Sequence, residues 1–359
     1  EFDGYAQASY GSWDQWNLEG AVGGPIVEDK LAFRLAAMTE QGGGWQDSVV
    51  TPEDDEHGDR DFLGMRGSLL FTPNEDVDIL FKVDHGKDKS ETTLGKSVGF
   101  WSYIYSYPYL VPCGPVMAGQ SDESCLLLTN LLGDLNTTGD QSGNGDRVLS
   151  NPINELDNKW TSYNLNVDWD LGFANLVSIS SYVDYDFKQF FDYDATPLDL
   201  VSSAPGFPDG ETSFEQWSQE FRLISSGDGP FTWLAGAMYG EDTNESIQSF
   251  VLDGLYFLGF TSMTAGLASY EQKTETWAVY GQAGYDVTDT ININGSLRYT
   301  EEDKDIDYRA LRAENFGPLM PYAAVAGFET SLGTNWSGHV GIDWKPNDNT
   351  LVYAKYSRG

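Results

Sequence analysis

Three observations predict an all-β fold in which antiparallel strands form a transmembrane β-barrel. Apolar and polar residues alternate with a period of two in short segments throughout the chain, which gives each strand one apolar and one polar face. After the first connection, short polar turns alternate with long loops, as they do between the two rims of an outer-membrane barrel. Aromatic residues, 11 Trp, 20 Tyr and 19 Phe in all, recur near segment ends, where the interfacial girdles of a barrel lie.

The clearest element is a hairpin at residues 274–300. In its second half the apolar and polar side chains fall on opposite faces, namely Ile291, Ile293, Leu297 and Tyr299 against Asn292, Asn294, Ser296 and Arg298. The turn at 286–289 is short and polar. A soluble sheet can show the same alternation, so the repetition of the pattern along the chain decides in favour of the barrel.

The alternation predicts thirteen strands along the chain. They cover residues 5–12, 15–23, 31–38, 62–71, 77–84, 163–171, 176–187, 217–224, 231–239, 277–285, 290–300, 336–344 and 351–357. In the seventh strand the apolar face carries Val177, Ile179, Val183 and Tyr185. Residues 40–61, 85–157, 241–273 and 304–335 are predicted as long loops. We expect sequential strands to be antiparallel and the short turns 73–76, 286–289 and 347–349 to share one rim.

Composition excludes two classes of protein. No run of 18 or more uncharged apolar residues exists, which argues against a helical membrane span, and the nearest candidate, 249–270, reads as a loop with an apolar patch. The net charge of −36 argues against a nucleic-acid partner, because a polyanion would be repelled. This charge indicates either simple solubility or acidic extracellular loops that recruit divalent cations or cationic ligands.

The sequence predicts one disulfide. It predicts neither a metal site nor a cofactor, and it does not predict an enzyme. Cys113 and Cys125 lie in one loop, where an oxidising compartment would join them. Two thiols and three scattered histidines do not make a zinc site. The tract 134–139 begins like a calcium loop, but Gly145 stands where the bidentate glutamate belongs. No nucleophile–base pair supports catalysis.

Several motifs resemble the TonB-dependent outer-membrane receptors, in particular their iron-complex or siderophore branch. Residues 4–11 and 17–25 resemble the first barrel hairpin of that family, and Gln219-Glu-Phe-Arg-Leu-Ile224 with 231–239 is similar to a mid-barrel pair. The hairpin with Tyr280-Gly-Gln282 and 295–300 resembles the pair that follows, and 351–359 resembles a later strand. The resemblance implies a barrel of 22 strands, an internal plug, energy from the TonB complex and contact with outer-membrane lipid.

The departures from the family lead to an expectation about the extent of the chain. No signal peptide, TonB box or plug is visible, and about thirteen strands are predicted instead of 22. We therefore expect residues 1–359 to form a partial barrel domain that lacks the plug and the C-terminal strands. The first and last strands should then each have an unpaired edge.

The candidate ligand-binding residues fall into two groups. Aromatic residues of the longest loop could stack on a ligand or simply pack the loop, namely Trp101, Tyr103, Tyr105, Tyr107 and Tyr109. Arginines on the polar strand faces, Arg66, Arg222 and Arg298, either bind a ligand or only make the wall polar. The resemblance implies import of a large, scarce nutrient such as a ferric siderophore into a Gram-negative cell. The alternative is a passive porin or another outer-membrane barrel.

Overall fold

The computed structural model describes residues 1–48, 56–94, 103–106, 109–112, 147–148, 155–190, 202–203, 211–227, 229–251, 264–312 and 328–359. The strands are β1 Asp3–Tyr10, β2 Trp16–Val27, β3 Leu31–Gly42, β4 Gln46–Ser48, β5 Glu56–His57, β6 Arg60–Asn74, β7 Val77–Asp88, β8 Tyr103–Ser106, β9 Tyr109–Pro112, β10 Arg147–Val148, β11 Glu155–Asp170, β12 Ala174–Phe190, β13 Ser202–Ser203, β14 Glu211–Ser225, β15 Phe231–Val251, β16 Thr264–Thr288, β17 Ile291–Arg312, β18 Phe328–Asn347 and β19 Thr350–Arg358. No helix in these ranges is long and apolar enough to cross a membrane.

Thirteen of these strands form one continuous antiparallel wall. Its order is β1-β2-β3-β6-β7-β11-β12-β14-β15-β16-β17-β18-β19, and β13 pairs with β15 beside this path. Each wall strand is antiparallel to its neighbour in sequence, so the turns β6–β7, β16–β17 and β18–β19 lie on one rim. The predicted fold class, strand number and rim assignment are confirmed.

The strands extend further than the sequence pattern predicted. β15 runs to Val251 and β16 begins at Thr264, so much of the predicted loop 241–273 is strand. β17 runs to Arg312 and β18 begins at Phe328, which shortens the predicted loop 304–335 in the same way. Backbone hydrogen bonds continue the ladder where the apolar alternation has ended, because polar residues pair as strands once a neighbouring strand is in place.

Register assigns every wall residue to one of two faces, since residues directly opposite each other on paired strands share a face. The outer face carries the exposed apolar side chains, such as Leu297 and Val340, each 55% exposed. Toward the rim of the long loops, the outer face has an aromatic row. In this row the ring centre of Tyr299 lies 5.1 Å from that of Trp277 and 4.9 Å from that of Trp336. This arrangement is typical of a lipid-facing wall with an interfacial girdle.

The apolar face of β12 departs from the rest of the wall. Val177 lies opposite Arg222 and Ile179 lies opposite Glu220. These two apolar residues therefore belong to the polar inner face. The outer positions of this strand include Ser178 and Ser180, opposite Phe221 and Gln219. Alternation therefore located the strand correctly without revealing which of its faces is turned toward lipid.

The wall is open within the described ranges. β1 and β19 are the two ends of the strand order and do not pair with each other there. Both strands are exposed along their whole length. The expectation that residues 1–359 form part of a larger barrel stays a prediction.

The connections after β3 and β7 pack together above the wall. The Gln46 side chain holds the Leu94 backbone through two hydrogen bonds, of 3.1 Å to its carbonyl and 2.7 Å from its N–H. The Glu91 N–H donates to Asp59 at 2.8 Å, and the Glu91 carboxylate contacts Nδ1 of the buried His57 at 3.2 Å. These contacts join two long connections into one cap on the extracellular rim.

We expect acidification to strengthen this cap. Burial raises the pKa of the Glu91 carboxyl, and the nearby Asp59 charge raises it further, whereas His57 lowers it. The folded cap therefore binds the Glu91 proton more tightly than the unfolded segment does. Protonation of Glu91 therefore stabilises the folded cap. This stabilisation is complete below the pKa of Glu91 in the unfolded segment, about 4.3, and is lost as pH rises through its pKa in the folded cap. Amide exchange at Leu94, corrected for intrinsic rates, should slow from pH 7 to pH 5.

The control for this expectation is Glu91→Gln, which keeps an oxygen acceptor for His57 and cannot ionise. Exchange at Leu94 in this variant should lose most of its pH dependence. The other charged groups on these segments, among them Asp59 and Lys89, stay unchanged. Protection that increases with pH in the unmodified protein would contradict the expectation.

Candidate functional site

A row of residues crosses five neighbouring strands on the inner face of the wall. Arg222 on β14 lies opposite Gly236 on β15, Gly236 opposite Tyr280 on β16, Tyr280 opposite Arg298 on β17, and Arg298 opposite Ser337 on β18. The polar alternation of each strand turns these positions away from lipid. The register therefore brings together two of the three predicted arginines.

Glu220, Arg222 and Tyr280 form a closed hydrogen-bonded triangle. Nη2 of Arg222 donates to Oε2 of Glu220 at 2.6 Å, and Nε of Arg222 donates to the Tyr280 hydroxyl at 3.3 Å. The Tyr280 hydroxyl donates to the other carboxylate oxygen of Glu220. The side chains are only partly exposed, 39% for Arg222 and 23% for Glu220. Hydrogen bonds to charged groups at such a site are stronger than bonds between neutral groups.

Gly236 makes room for the Tyr280 ring. A Cβ atom at this position would overlap Cζ and the hydroxyl oxygen of Tyr280. The ring therefore lies across the neighbouring strand over a position without a side chain. This placement carries the hydroxyl from β16 past β15 to Glu220 on β14.

Arg298 extends the row on the other side of Tyr280. Its guanidinium lies 5.4 Å from the centre of the Tyr280 ring, within the range of a cation–π contact. Its Nε donates to the Thr300 hydroxyl at 3.0 Å, and its Nη2 lies 3.1 Å from the Met238 sulfur. It forms no ion pair with any carboxylate in the described part of the chain. The cleft beside it also contains His339 and Lys355, and its cations can contact an anionic group.

The third predicted arginine lies elsewhere on the wall. Arg66, on β6, forms an ion pair with Asp84 on β7 and is 64% exposed. Three of the five predicted loop aromatics lie on described strands. Tyr103, Tyr105 and Tyr109 fall on the β8–β9 hairpin, whereas Trp101 and Tyr107 lie outside the described residues. Cys113, Cys125 and the tract 134–139 also lie outside them.

An apolar strip on the inner face was not predicted. Leu70 on β6 lies opposite Leu80 on β7, Leu80 lies opposite Asn166 on β11, and Asn166 lies opposite Ile179 on β12. Leu70 is 39% exposed in this wall. Gly236 and Tyr280 were likewise not predicted as site residues. Strand register brings all of them together, and a single sequence does not specify register.

No group of three or more His, Cys, Asp or Glu residues within the described ranges could hold a metal ion. The inner-face sites are ion pairs and hydrogen-bond networks built into a membrane wall. Their chemistry suits the binding of polar surfaces or solutes in the lumen.

The fold and the inner-face network define a class, the outer-membrane β-barrel with a structured lumen. A family model described as "TonB dependent receptor-like, beta-barrel" matches residues 119–359, more than half of the chain. The chain belongs to this family, which confirms the resemblance and places the protein in the outer membrane of Gram-negative bacteria. The members of the family are receptors and transporters rather than enzymes.

Solved structures agree with the family on the fold. The ferric yersiniabactin uptake receptor FyuA from Yersinia pestis has a TM-score of 0.71 at 14% identity, over 99% of this chain and 46% of its own. The siderophore receptor PiuA from Acinetobacter baumannii has a TM-score of 0.64 at 11% identity, over 99% and 48%. The open form of the ferric-catecholate import receptor Fiu from E. coli K12 has a TM-score of 0.62 at 14% identity, over 99% and 54%. The chain spans about half the length of these proteins.

Proposed function

We propose that the chain forms barrel wall in an outer-membrane receptor that imports a large, scarce nutrient such as a ferric siderophore. The energy for this import is supplied through TonB. Family membership supports the receptor class. The similar structures include receptors named for ferric yersiniabactin and ferric catecholates, which favours a chelated-iron ligand. The cations of the inner cleft are compatible with an anionic chelate that enters the lumen.

The inner apolar strip is the observation that favours a receptor over a passive porin. A porin lumen is filled with water and lined by polar residues. Leu70, Leu80 and Ile179 would be exposed to that water, which costs about 25 cal/mol per Å² of apolar surface left uncovered. A folded domain that fills the lumen would cover them. This supports a plugged, energised receptor as the first candidate.

Uptake in iron-limited cells tests the proposal. Deletion of the gene in its own host should abolish accumulation of one radiolabelled ferric chelate from a panel of hydroxamates, catecholates and carboxylates. Restoring the gene should restore uptake, and loss of TonB should abolish it while the protein stays in the membrane.

A porin would give the opposite result. Uptake would then persist without TonB and would depend on solute size for small sugars. Liposome-swelling rates with the purified protein provide that comparison, and fast swelling with a strict size limit would overturn the proposal.

A further inference from the structure

Three polar side chains lie together on the lipid-facing surface of β12 and β14, and we call them the polar patch. Ser180 on β12 lies directly opposite Gln219 on β14, and Ser178 lies on the same face, two residues nearer the short-turn rim. The Ser180 hydroxyl donates to Oε1 of Gln219 at 2.5 Å, and Nε2 of Gln219 donates to the Ser178 hydroxyl oxygen at 3.0 Å. The three residues are half-buried.

The aromatic row of the outer face fixes the depth of the polar patch in the membrane. Tyr182 and Trp217 lie opposite each other directly above the patch, and their rings lie 6.3 Å from Tyr163 and 5.6 Å from Tyr239, respectively. Such a row marks the interface between lipid and water. Ser178 lies four residues from Tyr182 toward the short-turn rim, which is about 10 Å along the membrane normal for a tilted strand. The polar patch therefore faces the hydrocarbon of the bilayer.

The strands on either side carry apolar residues at this depth. On β11, Leu165 lies opposite Ser180 and Val167 lies opposite Ser178, and on β15 the corresponding outer residues are Ala235 and Ala237. The hydroxyl proton of Ser178 has no acceptor among the described residues. A polar group in hydrocarbon costs free energy unless it is hydrogen-bonded, and lipid chains offer neither donors nor acceptors. The patch therefore has hydrogen-bonding capacity that lipid cannot satisfy.

We propose that the polar patch is the centre of a contact between two copies of this protein in the outer membrane. Two copies enter the membrane in the same orientation, so their patches lie at the same depth and a two-fold axis along the membrane normal brings them face to face. Serine hydroxyls and the glutamine amide are both donors and acceptors, so the patch is complementary to itself. Hydrogen bonds of this kind stabilise association between proteins in a membrane. A different partner would need its own polar groups at the same depth.

The shape of the surface beside the polar patch also fits a second copy. Phe221 on β14 is 51% exposed, and it lies opposite Ala237 on β15. A large side chain next to a small one lets Phe221 of one copy pack over Ala237 of the other across the axis. The contact lies on the outside of the wall, so it is independent of the nutrient that the protein imports.

Cysteine cross-linking in intact outer membranes of the host tests the contact. Ser178→Cys, oxidised with copper phenanthroline, should give a disulfide-linked dimer on a non-reducing gel, because a residue near the axis meets its own copy. The control is Val340→Cys on β18, which is 55% exposed on the same face and lies four residues from Trp336, as Ser178 does from Tyr182. It should give no more dimer than the unmodified protein, which also accounts for the native cysteines.

Dimerisation of the purified protein in liposomes, measured by single-molecule photobleaching at a series of protein-to-lipid ratios, gives the strength of the contact. Ser178→Ala/Ser180→Ala/Gln219→Leu should raise the dissociation constant of the dimer about tenfold. Ser181→Ala/Ser218→Ala, a pair on the inner face of the same two strands, should leave it unchanged. Apolar side chains suit a lipid-facing position, and the shift in gel mobility on heating checks that each variant is folded.

Three results would overturn the proposal. Ser178→Cys and Val340→Cys could cross-link to the same extent, which would mean random collision. The triple variant could dimerise as strongly as the unmodified protein, and the polar patch would then contribute nothing. A cross-linked product whose mass is not twice that of the protein would assign the surface to a different membrane protein. If the triple variant does not fold, the two cysteine variants still decide the question.

Discussion

Gly236→Ala is expected to lower the free energy of unfolding by about 1–3 kcal/mol, although alanine normally suits a strand better than glycine. The new methyl group would overlap the end of the Tyr280 side chain. Tyr280 must then leave Gly236, and its hydroxyl loses both Glu220 and Arg222. Denaturant titration of the purified protein, followed by tryptophan fluorescence, measures the loss.

The control for this substitution is Gly240→Ala on the same strand and the same inner face. A Cβ at Gly240 would lie 3.7 Å from the Trp217 carbonyl oxygen and 3.8 Å from Cβ of Ser218, which are ordinary contacts. This variant should be as stable as the unmodified protein or slightly more stable. Equal stability of the two alanine variants would show that the Tyr280 network contributes nothing. Gly236→Ala/Tyr280→Ala should recover part of the loss, because the overlap is removed.

The strands and their order could be predicted because a barrel wall imposes the same pattern on each strand. The segment 290–300 alternates strictly, since Ile293 and Leu297 meet lipid while Asn294 and Arg298 meet the lumen. Connection lengths then fix the rims without further information. Both signals depend only on neighbouring residues in sequence, so the fold class, the thirteen strands and the antiparallel order follow from them.

The strand ends and the orientation of β12 could not be predicted, for different reasons. Beyond the lipid band both faces of a strand are polar, so β15 and β16 continue through residues such as Glu245 and Glu271 without apolar alternation. In β12 the alternation is present, but Ile179 and Val177 are apolar on the inner face. The alternation of apolar and polar residues identifies the two faces of a strand. Which of the two faces meets lipid depends on the neighbouring strands.

The candidate site was predicted only in part because its members are distant in sequence. Glu220 and Arg222 lie two residues apart on one strand, so their spacing places both on the same face. Tyr280 is 60 residues from Glu220 and becomes its partner only through the registers of β14–β15 and β15–β16. A shift of one residue in either register would turn Tyr280 toward lipid. Gly236 offers no chemical signal at all, since its role is to leave space.

Arg222→Gln is expected to destabilise the protein by about 1–3 kcal/mol, more than Glu220→Gln does. Without Arg222, the Glu220 carboxylate remains three-quarters buried and keeps only the Tyr280 hydroxyl as a donor. Without Glu220, Arg222 is more exposed and retains water and Tyr280. The double variant should therefore lose less than the sum of the single losses, with a coupling of about 1–2 kcal/mol in denaturant titrations.

The wall provides a matched control in Arg66 and Asp84, a second arginine–carboxylate pair on the inner face of adjacent strands. Arg66 is 64% exposed, against 39% for Arg222, and no third side chain within the described ranges bridges its pair to another strand. Water screens such a pair, so the cycle of Arg66→Gln and Asp84→Asn should give a coupling of about 0–1 kcal/mol. The exposure of the arginine and the Tyr280 bridge are the differences between the two pairs, because Asp84, 21% exposed, is as buried as Glu220. Equal couplings in both cycles would mean that neither strengthens the Glu220–Arg222 interaction, and that this part of the inner wall is polar without being a structured site.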